Sequence, residues 1–156
     1  MKAASINDIK QELNNLSAKD LSVLCLRVAR YKKENKELLT FLLFEAHDLQ
    51  AYIQNVKKEI DEGFIQINQS NVYFVKKSLR KILKATNKYI RYTTSKEAEA
   101  ELLIYFCSKI KFSGIRINKS TALTNIYNNQ IKKISIVVQT FHEDLQYDYK
   151  KEIELL

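Results

Sequence analysis

Between positions 76 and 91 stand seven cations and no acid: Lys76, Lys77, Arg80, Lys81, Lys84, Lys88 and Arg91. Lys and Arg at this density suit one kind of chemistry, the neutralisation of anionic partners such as phosphates or carboxylates. Across residues 68–96 there are eight cations and no acid, and the rest of the chain balances its charges. The net charge of +8 is thus the excess of this one segment. At roughly 100° per residue, the seven fall within an arc of about 140° of a helix, and Tyr73 falls inside that arc. Phe74 and Tyr92 lie at its margin. The opposite arc carries Val75, Leu79, Ile82, Leu83, Thr86 and Ile90.

Like charges spaced i,i+4 repel by a few tenths of a kcal/mol per pair. A sequence shaped only for helix stability would place Glu among them, as this chain does elsewhere. The stripe therefore reads as a contact surface for an anionic partner, either an acidic protein surface or nucleic acid, with Tyr73 available to stack or hydrogen-bond. Two other readings stand beside it. The acids Glu45, Asp48, Glu59, Asp61 and Glu62, or Glu97, Glu99 and Glu101, could neutralise the stripe from neighbouring helices. It could also be a solvated face without a partner.

Catalytic devices are scarce. The two histidines, His47 and His142, have no second His four residues away, and no Glu-x-x-His occurs. The helical spacings for zinc and di-iron ligands are thus missing. An acid-base or metal cluster of His47, Asp48, His142 and Glu143 would need long-range assembly. None of Gly-x-Gly-x-x-Gly, Gly-x-x-x-x-Gly-Lys and Gly-x-Ser-x-Gly, the marks of phosphate-cradling loops and nucleophile elbows, occurs. Cys25 and Cys107 lie in apolar helical stretches and are expected to be buried, reduced thiols. The nine tyrosines, spread over nearly every helix, are expected to pack in the core and at its edges. The expectation is a non-catalytic protein with no cofactor and no metal.

The elements that must position the stripe follow from periodicity. With no Pro and two Gly among 156 residues, tight hairpins are nearly excluded and an all-α fold remains. The apolar steps Ile6–Ile9–Leu13–Leu16 mark a first helix, and Leu21–Leu24–Cys25–Val28 a second. One stripe from Leu39 to Phe64 predicts a long third helix, loosened near its end by Gly63. The basic segment is the fourth, capped by Ser70 or Asn71. Tyr92-Thr93-Thr94-Ser95 ends it and supplies caps for a fifth, which Ser113 and Gly114 stop. A long sixth helix runs from Leu123 to Leu145 and is expected to fray within residues 149–156. The result is a single domain over residues 1–156, a bundle of five or six mostly antiparallel helices, with a short α-solenoid of helical hairpins as the runner-up. Oligomeric state is not legible.

Residues 24–39 (LCLRVARYKKENKELL) and 87–92 (NKYIRY) resemble short all-helical bacterial proteins of no assigned activity. The resemblance spans about the central two-thirds of the chain and transfers no functional residue. No apolar run approaches the about 20 residues of a membrane span, and the first residues lack a secretory signal pattern. A cytoplasmic binding or scaffold protein without a membrane partner is the expectation.

Overall fold

The structure, a computed structural model, describes residues 2–156, and among these there are helices but no strands. The chain divides into two compact units, residues 2–45 and residues 46–156.

The first unit holds three short α-helices: α1 (Ile6–Asn14), α2 (Ala18–Tyr31) and α3 (Lys33–Thr40), the last continuing into a π-helical turn, Phe41–Glu45. Ser5 caps α1 in a full capping box with Asp8, and Ser17 caps α2 by accepting from the Asp20 N–H. The α2–α3 corner is pinned where the Asn35 amide donates to the Val28 carbonyl at 2.9 Å. No residue of α1, α2 or α3 is buried, and Phe41 is the one buried residue among residues 2–45. Cys25 is accordingly exposed, contrary to expectation, because the groove between α2 and α3 that it lines is open.

The second unit is built around α6 (Lys96–Phe112), which packs against α4 (Leu49–Ile65), α5 (Val72–Thr93) and α7 (Thr121–Val138); α8 (Glu143–Glu154) packs on α7. The sequence explains the central place of α6. Its apolar residues go all round the helix, and a helix of that kind has to be enclosed. Leu102, Leu103, Phe106, Cys107 and Ile110 are fully buried, with Leu79 of α5 and Ile134 of α7 against the same core. Phe64 meets Phe106 edge to face at 5.8 Å between ring centres. Burial pushes the Cys107 thiol up to about 12, so this cysteine is the inert thiol expected.

The all-α class holds, and the described residues form eight α-helices rather than five or six. Both extra breaks interrupt what periodicity joined. The predicted third helix is cut at residues 46–48, where Asp48 starts α4 by accepting from the Ala51 N–H at 2.9 Å. The predicted sixth is cut at residues 139–142, with Glu143 and Asp144 beside the positive end of α8. Gly63 lies inside α4 and does not loosen it. A Cβ there would sit 2.7 Å from Cγ1 of Ile82, so its bare backbone is what lets α4 approach α5 closely. The segment 149–156, expected to fray, continues α8 as far as Glu154. The carbonyls of Leu155 and Leu156 accept from Lys111 at 2.7 Å and the Tyr127 hydroxyl at 2.6 Å.

Candidate anion-binding surface

Helix α5 carries the whole basic stripe. Asn71 caps it by accepting from the Tyr73 N–H at 2.8 Å. Val75, Leu79, Ile82, Thr86 and Ile90 are buried against the core. Thr86, the polar member of that face, satisfies its hydroxyl by donating to the Ile82 carbonyl at 3.0 Å. With the apolar face fixed inward, helical geometry turns the cations outward. Lys77, Arg80, Lys81, Lys84 and Arg91 are exposed, and Lys76 and Lys88 are half-buried. From Lys77 to Arg91 the stripe runs about 21 Å, at ~1.5 Å per residue.

Three of the eight acids that could have neutralised this stripe are paired with lysines outside it. Asp61 of α4 pairs with Lys109 of α6 at 2.7 Å and accepts from the Tyr105 hydroxyl at 2.8 Å. Glu101 pairs with Lys57 at 2.7 Å. Glu99, buried, lies between Lys96 at 2.9 Å and Lys133 at 3.0 Å. Among the described residues, Lys76, Lys77, Arg80, Lys81, Lys84 and Arg91 form no ion pair. Glu59 and Glu62 come nearest in place, lining with Lys81 a cleft of about 290 Å³ between α4 and α5.

The paired carboxylates show the same division in their acidity. Burial pushes Asp61 up, but hydrogen bonds from Lys109 and Tyr105 and the Lys109 charge outweigh it, so its pKa lies below the ordinary value. Glu99 follows the same pattern, with burial overcome by Lys96 and Lys133. These acids remain charged to lower pH and stay committed to their own lysines.

Aromatic side chains flank the stripe. Tyr73, 57% exposed, meets the exposed Phe74 edge to face at 5.6 Å, and the Lys76 ammonium lies 5.8 Å from the Tyr73 ring centre. Lys88 lies 4.8 Å from the ring centre of Tyr89. Several other tyrosines pack and hydrogen-bond as expected: the buried Tyr52 donates to the Tyr89 carbonyl at 3.2 Å.

Beyond the stripe, Lys96 and Lys133 are both held by Glu99. Arg91, Lys96 and Lys133 line one open cleft of about 630 Å³ at the α5–α6 corner, around Glu99. Lys133 comes from α7, so no reading of a single helix finds it. The histidine cluster is not assembled: among the described residues no group of three or more His, Cys, Asp or Glu side chains could hold a metal ion. His142 is exposed and lies 3.6 Å from Asp144. Among the described residues no helix is long and apolar enough to cross a membrane.

Compared with known proteins, the chain matches no family model, no curated protein and no solved structure.

Proposed function

We propose that the protein is a non-catalytic helical binding or scaffold protein that contacts an anionic partner through the outer face of α5. One observation carries this reading. Lys77, Arg80, Lys81, Lys84 and Arg91 are exposed together on one face without a carboxylate partner, while Asp61, Glu99 and Glu101 are held by other lysines. Concentrating like charge costs helix stability, so a sequence retaining it without internal compensation has a use for the field it creates.

A specific observation favours nucleic acid among anionic partners: the exposed Tyr73–Phe74 pair beside the basic arc. Bases offer a stacking face to such rings, which an acidic protein surface does not. Fluorescence anisotropy with short labelled single- and double-stranded DNA and RNA tests the reading, with a polyglutamate competitor. The double variant Arg80→Glu/Lys84→Glu is expected to lose at least tenfold in affinity. Tyr73→Ala should weaken single-stranded binding more than duplex binding. Displacement by polyglutamate at low concentration, with little discrimination between strands, moves the assignment to an acidic protein surface. Equal binding by wild type and double variant contradicts any role for α5.

A further inference from the structure

Residues 2–45 carry a second interaction surface, built from apolar side chains rather than cations. Twelve large hydrophobic side chains there, from Ile6 to Phe44, are exposed by between 37% and 82%. Of these, Leu24, Val28, Leu38 and Leu42 line one groove, and Ile6 and Ile9 lie on α1. Exposed apolar surface of this kind marks contact sites when it is contiguous.

The surface has two complementary parts. One is the groove between α2 and α3, about 260 Å³, walled by Leu24, Cys25, Val28, Leu38, Leu39 and Leu42. Its amide-bearing lining residue, Asn35, already donates to the Val28 carbonyl, so the groove asks only for apolar atoms. The other part is α1. Ile6, Ile9 and Leu13 lie along one face of this nine-residue helix, and none of its residues is buried. A helix so short is marginal in water, even with its capping box, unless its apolar face is covered. The two segments that carry these parts also have opposite net charge. Helix α1 has Asp8 and Glu12 against Lys10, whereas residues 18–40 have six cations and three acids.

We propose that the occupant of each groove is α1 of a second copy of this chain, exchanged reciprocally to form a closed two-fold dimer. The arrangement covers both apolar surfaces at once, sets the acidic helix among the basic residues of the other copy, and leaves no open end for further growth.

Cys25 supplies a direct test, because it lines the groove while Cys107 is buried. Full-length Ile9→Cys protein, mildly oxidised, should form an interchain disulfide between position 9 and Cys25, located by peptide mapping and abolished by Cys25→Ser. Sedimentation of the wild type should show a concentration-dependent dimer. Ile9→Asp and Leu24→Asp should each raise the dimer Kd at least tenfold. Both positions are exposed, and far-UV circular dichroism should remain that of the wild type. Mixing the two variants should restore association in part, since the mixture keeps one intact contact between α1 and a groove. A monomer at all concentrations overturns the proposal. So does an intrachain disulfide between position 9 and Cys25, which means α1 folds onto its own groove. A dimer that neither aspartate weakens, or a mixture that does not recover, overturns it equally.

Discussion

At the scale of single residues, the stripe sets stability against function. Arg80 has Lys76 and Lys84 four residues to either side and Lys77 three before it. Arg80→Glu converts those repulsions into attractions, so it should raise stability by a few tenths of a kcal/mol while weakening anion binding. Urea unfolding and a binding titration on the same sample check both directions, and a destabilised variant contradicts the unpaired state of Arg80. Gly63 gives the opposite case. Alanine there gains helix propensity but drives its Cβ against Cγ1 of the buried Ile82. Gly63→Ala should cost about 1–2 kcal/mol net, measured as a lowered urea midpoint. Its role was not legible in the sequence, because the meaning of a missing Cβ depends on a contact nineteen positions away.

At the scale of elements, the corner between α5 and α6 sets where the stripe ends. Thr94 closes α5 in the left-handed region, at φ 53°, where a β-branched residue is strained. Thr94→Gly should stabilise the protein by about 1 kcal/mol, raising Tm in calorimetry. A lowered Tm would show that the threonine side chain contributes more than its backbone costs. Helix α5 was legible nearly to the residue because its cap, its apolar arc and its charge all agree. The breaks at residues 46–48 and 139–142 were not. There the apolar steps continue across the gap, and neither Gly nor Pro marks it; Asp48 and the pair Glu143–Asp144 are the only local signals. Cys25 was misplaced for a related reason. Periodicity identifies an apolar face without saying how fully it is covered, and on α2 no residue is buried.

For the whole molecule, charge is partitioned. Within the second unit, carboxylates and lysines tie α4 and α7 to α6, while on α5 Lys76, Lys77, Arg80, Lys81, Lys84 and Arg91 form no ion pair among the described residues. That partition predicts a pH response. Asp61 and Glu99 have folded pKa values below their unfolded ones. Their contribution is therefore complete above the unfolded values, near pH 4, and is lost as pH falls through the folded ones. Urea midpoints should decline below about pH 4, and Asp61→Asn/Glu99→Gln should flatten the decline. Unchanged pH dependence in that variant places the acid sensitivity elsewhere. The sequence foresaw both sets of charges but not their pairing, since Lys57, Lys109 and Lys133 reach their acids only through tertiary packing.

The central claim, that the outer face of α5 binds polyanions, is met most directly by the salt dependence of nucleic-acid affinity. If four to six of its cations touch phosphate, log K should fall against log salt with a slope of roughly −3 to −5, and Arg80→Glu/Lys84→Glu should flatten that slope by about 2. An absence of binding at low salt, or a slope unchanged in the variant, would contradict it.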